Sequence, residues 1–345
     1  MIAAVDMFCG IGGLTHGLIL EDINVVAGFD IDEECRYAYE VNNPGAKFIG
    51  QKIEDTSPEE ILKLYPKNST KILVGCAPCQ PFSSFTNSQR NKRDQWKLVE
   101  VFAELIVQVQ PDVVSMENVI RLRAFQDGAI FERFVDILEP DYEVTPYEVY
   151  CPDYGIPQNR KRLVVFASKR GRVDLIEKTH SPANYETVES TIYDQPRIAA
   201  GEVDANDPLH RAQNLSPENL ERIRQSKPGG TWEDWDPELI LACHRRESGR
   251  RSKSVYGRMA WDKPSPTITT QAFTYGTGRF GHPELDRALS LREMALLQTF
   301  PRGYKFVNPE YQEYHFTKIG RWIGNAVPVD LGRVIARSIV KHLEK

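Results

Sequence analysis

The sequence is poor in the features that define several protein classes. Six cysteines occur in 345 residues, at positions 9, 35, 76, 79, 151 and 243. Scattered this way they form no disulfide framework and point to a reducing, cytoplasmic setting. No run of 18 apolar residues is present, so neither a membrane-spanning helix nor a membrane partner is expected. The N-terminal MIAAVDMFCG has no charged n-region and no apolar h-region, so no secretory signal is expected. Positive charge is not in excess: 43 Lys and Arg stand against 48 Asp and Glu, a net charge of −5. That argues against non-specific nucleic-acid binding by the whole surface and leaves room for a local basic groove. Cys76 and Cys79 have no second Cys pair to join, and the nearest histidines, His16 and His180, are far away in sequence. A structural metal site needs three or four ligands, so no metal is assigned.

What is present reads as a globular chain. Hydrophobic content of 41% and charged content of 26% are ordinary, and the length allows a full core and two domains. IAAVDM reads as a short buried strand, followed by a Gly-rich turn and a helix. INVVAGFDID is a strand ending in acidic residues, and CRYAYEVNN is helical. KILVGCAP is a strand with a loop at its end, and WKLVEVFAELIVQVQP has apolar residues at helical spacing up to Pro111. DVVSMENV, YEVTPYEVY and KRLVVFASK are strands, and FERFVDILEP is an amphipathic helix. This alternation predicts a doubly wound α/β sheet. From residue 171 to about 286 the pattern gives way to Pro, Gly, Asn and charge, which predicts a smaller loop-rich domain. DLGRVIARSIVKHLEK is a final amphipathic helix.

Five segments carry candidate chemistry. The turn Asp6-Met7-Phe8-Cys9-Gly10-Ile11-Gly12-Gly13 lies between a strand and a helix, where glycines admit a ligand close to the backbone. Asp30 and Asp32 end the next strand, at the position of a carboxylate that binds ribose hydroxyls. Together they suggest a nucleoside-containing cofactor. The third glycine is misplaced for G-x-G-x-x-G, which disfavours NAD. Pro78 and Pro81 oppose the helix that a redox C-x-x-C normally starts. Two readings remain for this segment: one nucleophile on a rigid loop, with Cys79 the better candidate and Cys76 packing, or a plain structural loop. Glu117, in Met116-Glu117-Asn118-Val119, ends a strand beside that loop or is merely solvated. In Gln158-Asn159-Arg160-Lys161-Arg162 the residues Gln158, Arg160 and Arg162 share one face of a strand. They face a phosphate or base, or form a charged edge. Gly324-Asn325-Ala326-Val327-Pro328 leads into the last helix.

Taken together, DMFCGIGG, GCAPCQPFS, MENV, QNRKR, RALSLREMALLQTFP and GNAVP resemble, in order and over nearly the whole chain, the cytosine carbon-5 DNA methyltransferase family. The resemblance implies a Rossmann-like catalytic domain over 1–170, a target-recognition domain over 171–300 and a C-terminal segment, 301–345, returning to the catalytic domain. It implies S-adenosylmethionine as cofactor, held by Phe8, Gly10, Ile11, Gly12, Asp30, Ile31, Leu98 and Asn325. Cys79 becomes the nucleophile, Glu117 holds the base, Arg162 contacts the cytosine oxygen and Arg160 positions backbone or nucleophile. The family's third-strand Asp-Ile pair aligns here with Lys52-Ile53, so Glu54, Asp55 or the backbone substitutes, or the register differs.

Double-stranded DNA is the implied substrate, and the target base must leave the stack. SSFTNSQRNKRDQWK, residues 83–97, carries Arg90, Lys92, Arg93 and Lys97 against Asp94. It is expected to close over DNA, with a solvated charged loop as the alternative. Residues 244–263 hold seven Lys or Arg against two acidic residues, a local charge of +5. That suits a surface facing phosphates or a groove. Gln80, Ser83, Arg90, Arg93, Gln158, Arg245, Arg246, Arg258 and Thr267 are the candidate DNA contacts. The expected protein is a monomeric, cytoplasmic, bacterial or phage-encoded enzyme of restriction-modification or phage defence, with a restriction endonuclease as possible partner at the same site. The rivals are a transfer-RNA cytosine methyltransferase, whose Cys-Phe-Thr hallmark is absent, and a non-catalytic DNA-binding module.

Overall fold

The computed structural model describes residues 1–78, 96–250, 253–310 and 315–345. The strands come first from short apolar runs: β1 (Ile2–Met7), β2 (Asn24–Asp30), β3 (Lys47–Gly50), β4 (Thr70–Gly75) and β5 (Val113–Asn118). β6 (Glu143–Tyr150), the two-residue β7 (Gln158–Asn159) and β8 (Lys161–Ser168) follow. Among the described residues the main sheet has seven strands in the order β3-β2-β1-β4-β5-β8-β6. β1 to β5 pair in parallel, and β8 runs antiparallel to both β5 and β6. β6 and β8 are joined by a short connection, which an antiparallel pair permits and a parallel crossover does not.

Side chains alternate across this sheet with a period of two, so both faces need cover. Ala3, Val5, Leu73, Val114, Met116 and Val165 belong to one core. Over it lie α3 (Pro58–Leu64), α4 (Lys97–Val109) and α5 (Ala129–Leu138), numbered after α1 (Gly13–Ile19) and α2 (Arg36–Asn42). α3 starts at a reciprocal cap between Ser57 and Glu60, with Pro58 in its first turn. α4 buries Val99, Phe102, Ala103, Ile106 and Val109, a single helical stripe. The opposite face, with Ala4, Val25, Ile72, Val74 and Phe166, packs against α1, α2 and the C-terminal helices.

Beyond residue 171 the chain forms short pieces: α6 (Val188–Ile192), α7 (Pro217–Gln225), α8 (Ala242–Arg245), α9 (Glu247–Arg250) and the two-residue strand β9 (Ser265–Pro266). Ile223, Trp232, Trp235, Tyr275 and Ala288 make a small core of their own. β9 pairs in parallel with β7 in a separate two-stranded sheet, tying this region to the segment that leads into β8. Then come α10 (Leu291–Leu297), α11 (Phe316–Asn325) and α12 (Val329–Leu343). Leu291, Met294, Ala295 and Leu297 of α10 are fully buried, as expected for core positions. Glu293 pairs through both oxygens with the buried Arg287 at 2.7 Å. Among the described residues no helix is long and apolar enough to cross a membrane.

Candidate active site

A cavity of about 500 Å3 opens at the carboxyl ends of β1, β2 and β4, where ligands bind in open α/β sheets. The backbone makes its floor. Phe8, Gly10 and Gly12 have φ of 62°, 50° and 87°, a left-handed conformation costly for an aromatic residue and natural for glycine. Gly12, expected to hold the cofactor, does not line the cavity: a Cβ there would meet Asn43 Nδ2 at 2.6 Å, Tyr39 at 3.1 Å and Tyr304 at 3.2 Å, so its glycine serves packing. Gly10 N–H donates to Asp30 Oδ2 at 2.8 Å and Asp32 N–H to Asp30 Oδ1 at 2.9 Å. Each Asp30 oxygen keeps a lone pair for a hydroxyl donor. Burial raises the Asp30 pKa, and those backbone donors oppose the rise.

Asp6 adds a second carboxylate. It lines the cavity at 1% exposure. Thr15 Oγ1 donates to its Oδ2 at 2.7 Å, and its Oδ1 has no partner. Burial pushes its pKa up to about 7, against the lowering effect of Thr15. Ile31 is 66% exposed at the cavity wall, an apolar surface suited to a flat ring. Leu98, Lys52, Glu54 and Asn325 also line the space. β3 ends at Gly50, so Lys52 and Ile53 lie just past it, beside Glu54. Trp322 Nε1 donates to Asp32 Oδ2 at 2.9 Å and closes one side.

The same cavity continues to Cys76, Ala77 and Pro78, the residues before Cys79. Parallel pairing of Gly75 with Met116 brings the ends of β4 and β5 together. Cys76 and Glu117 come next on each strand. The Cys76 thiol donates to Glu117 Oε2 at 2.8 Å. Arg162 Nε stands 3.0 Å from Glu117 Oε1, an ion pair without hydrogen-bond alignment. Glu117 itself is 2% exposed. Asn118 Nδ2 donates to Ala77 O at 3.2 Å and so orders the strand-end loop.

Arg160 is 3% exposed. Its guanidinium reaches Gln158 Oε1 and Ile268 O at 3.4 Å and Ala326 O at 3.5 Å. Burial, reinforced by Arg162, lowers its pKa to about 10. Glu117, Arg160 and Arg162 are thus gathered in one crevice, next to a cavity lined by Phe8, Gly10, Ile11, Asp30, Ile31, Leu98 and Asn325.

Three further expectations need correction. Gln158 is fully buried and faces no phosphate or base: its amide bonds Leu297 O, Gln298 Oε1 and Ile268 N–H. Arg258 is 4% exposed, and its guanidinium is spent on Ile223 O, His282 O, Leu285 O and the Asp286 carboxylate. Neither is available to DNA, because a buried polar group must satisfy itself inside the protein. Cys76, expected only to pack, hydrogen-bonds the carboxylate of the site. Arg245 and Arg246 are exposed, and Thr267 Oγ1 donates to Asn159 O at 2.6 Å. Cys79, Gln80, Ser83, Arg90 and Arg93 lie outside the described residues. Asp6, Trp322 and Gln298 were not singled out as site residues. The signal for Asp6 was its place at the head of the Gly-rich turn. Trp322 and Gln298 had none, since their partners are distant in sequence.

The profile of the C-5 cytosine-specific DNA methylase family matches residues 2–341. The chain is 54% identical over 343 residues to the Type II methylase M.HgiDII of Herpetosiphon aurantiacus, covering 99% of this chain and 96% of that one. To the Type II methyltransferase M1.HphI of Haemophilus parahaemolyticus it is 30% identical, over 98% of this chain and 86% of the other. Among solved structures, a prophage-encoded Escherichia coli protein described as a DNA modification methyltransferase superposes with a TM-score of 0.75 at 20% identity, covering 100% of both chains. That likeness shows the fold. Sequence match, sheet order and the crevice of acid and arginines agree, and the chain belongs to the C-5 cytosine-specific DNA methylase family.

Proposed function

We propose that this methyltransferase modifies one cytosine of a specific duplex sequence, with Cys79 as nucleophile and S-adenosylmethionine as methyl donor. The observation that carries the reading is the placement of Glu117 and Arg162 directly behind Cys76, which lines the end of the cavity together with Pro78, the residue before Cys79.

The cavity's residues fit the donor. Asp30 has acceptor capacity for ribose hydroxyls and Ile31 offers an apolar face. The unpartnered Asp6 Oδ1 suits a cationic group. The backbone at Gly10 allows close approach, and Phe8, Ile11, Leu98 and Asn325 complete the wall. Glu54, rather than Lys52, replaces the usual third-strand carboxylate. Bound there, S-adenosylmethionine supplies an electrophilic methyl group.

The residues of the chain do the rest. The Cys79 thiolate adds to carbon 6 of cytosine, and the electron pair of the 5,6 double bond moves to carbon 5, which becomes nucleophilic. Glu117 holds ring nitrogen 3 and the exocyclic amine and shares a proton with the ring as charge develops. Arg162 contacts the ring oxygen. Arg160 braces the crevice through Ile268 O and Ala326 O. Loss of the carbon-5 proton to a base, with water suitable, lets the carbon–sulfur bond break and frees Cys79.

The base must be extruded from the stack to reach this crevice. Residues 171–300 act as the recognition domain, with Arg245, Arg246 and Thr267 facing DNA and the basic segment 83–97 closing over it. The likeness to Type II methylases supports a modification enzyme, which acts as a cytoplasmic monomer. Its partner is a restriction endonuclease acting at the same DNA site.

The test is incubation with methyl-labelled S-adenosylmethionine and either duplex DNA or transfer RNA, with C79S in parallel. Label on carbon 5 of DNA cytosine, absent with C79S, supports the reading. Label on transfer RNA alone, or on DNA with C79S at full rate, overturns it.

A further inference from the structure

The carboxylate that must orient the cytosine ring sits among cations. Arg162 Nε lies 3.0 Å from Glu117 Oε1, and the Arg160 guanidinium is a further positive neighbour of the same group. A carboxylate beside guanidinium tends toward a bidentate pair, with both oxygens turned to the fork. In that pose it would have no oxygen in place for a base. Here one oxygen has a different hydrogen-bond partner. Cys76 Sγ, at the end of the neighbouring strand, donates to Oε2 at 2.8 Å. The ion pair to Oε1 has not closed into an aligned hydrogen bond. Among the described residues, the buried Cys151 also faces this cluster, close to Arg160 and Arg162.

We infer that Cys76 is a positioning residue for the methyl-transfer reaction: its thiol anchors Glu117 Oε2, sets the plane of the carboxyl and keeps it from collapsing onto Arg162. This rests on the reading of Glu117 as the group that holds the base. An ionised carboxylate oxygen has two lone pairs, so the thiol takes one and leaves the other for the substrate. A thiol suits the place because it is small and partly apolar. Cys76 packs its remaining surface against the core on that side of the sheet, and its proton meets the acceptor that the strand register sets beside it. The C-x-x-C spacing that suggested a redox or metal pair therefore has a different cause: the first cysteine positions the acid and the second is the nucleophile.

Four variants test this: C76A, C76S, C76V and E117A, each assayed for single-turnover methylation of duplex DNA, pH dependence of that rate, and donor affinity. E117A should abolish methylation. C76A should lower the rate about 10- to 100-fold, the scale of a lost hydrogen bond to a charged group, with donor affinity within about twofold of wild type because the bond is to Glu117 and not to the cofactor residues. C76S keeps a donor and should restore the rate to within about threefold of wild type, with the wild-type pH profile, whereas C76V, which fills the space without a donor, should behave like C76A. If C76A does not fold, the comparison of C76S with C76V decides. Methylation by C76V at the rate of C76S, or by C76A at the wild-type rate, overturns the inference while leaving Glu117 in its role. Methylation by E117A at the wild-type rate removes the reading of Glu117 and this inference together.

Discussion

Two glycines of α1 separate the packing of the fold from the wall of the cofactor cavity. A Cβ on Gly13 would stand 2.3 Å from the Val327 carbonyl oxygen, and one on Gly17 would stand 2.4 Å from Val329 O and 2.7 Å from Gly332 Cα. Ordinary contact begins at 3.4 Å, so in either case the helix and its neighbour must part by about 1 Å. Overpacking of this kind costs about 1–3 kcal/mol, and the better helix propensity of Ala returns about 0.5–1 kcal/mol. A net loss of about 1–2 kcal/mol, with an unfolding entropy of about 2 cal/mol/K per residue, lowers Tm by about 1–3 °C. The functional consequences differ. Gly13 presses on the strand of chain that carries Asn325, Ala326 and Val327, all lining the cavity, whereas Gly17 presses on α12, away from it. G13A should therefore weaken S-adenosylmethionine binding about tenfold or more, measured by titration calorimetry. G17A should lose comparable stability with donor affinity retained. G303A, where a Cβ meets nothing within 4 Å, should change neither. Wild-type Tm and affinity in G13A, or equal loss of affinity in G17A, would refute the argument that this close approach shapes the site.

Two further predictions concern buried charge. Burial raises the pKa of Glu293, but Arg287 more than offsets it and holds the carboxyl at about 2. A depressed carboxyl contributes stability that is complete above its ordinary pKa near 4.5 and is lost as pH falls toward 2. The contribution is on the order of 3 kcal/mol, so E293Q should destabilise the protein at pH 7 and flatten the acid limb of its stability profile between pH 5 and 2, followed by denaturant titration. R258A should cost about 2–4 kcal/mol of stability, since it leaves buried carbonyls without donors. The exposed R245A should leave Tm unchanged, weaken DNA binding and make its log-log salt slope shallower by about 0.9. Equal DNA effects in both variants, without loss of stability in R258A, would contradict the burial of Arg258.

Much of the catalytic half was legible because it rests on local rules. β1, its Gly-rich turn and α1 follow from an apolar run, left-handed glycines and helical spacing within about twenty residues. The carboxyl-end positions of Asp30 and Glu117 follow from strands that end in polar residues. α3 and the bounds of β3, which ends at Gly50 before Lys52, are not legible, because the segment 47–64 is short, charged and interrupted. The antiparallel placement of β8 was also illegible: an apolar strand with Val-Val-Phe inside carries no mark of its direction or neighbours.

The sequence by itself determined the kind of chemistry: which residues lie at strand ends, the order of the motifs, the family they define and the small loop-rich region after residue 171. Tertiary structure alone decided which polar residues serve the site and which serve the fold. Gln158 and Arg258 look like DNA-reading residues in a charged segment, yet their partners lie up to 140 residues away for Gln158 and 35 for Arg258, and those partners hold both side chains inside the protein. Cys76 looks like filler until the register of β4 on β5 sets it against Glu117. Local pattern specifies the direction and exposure of a side chain along its own strand or helix. A hydrogen bond depends on position to within a few tenths of an ångström, and that is fixed only when separate elements have packed.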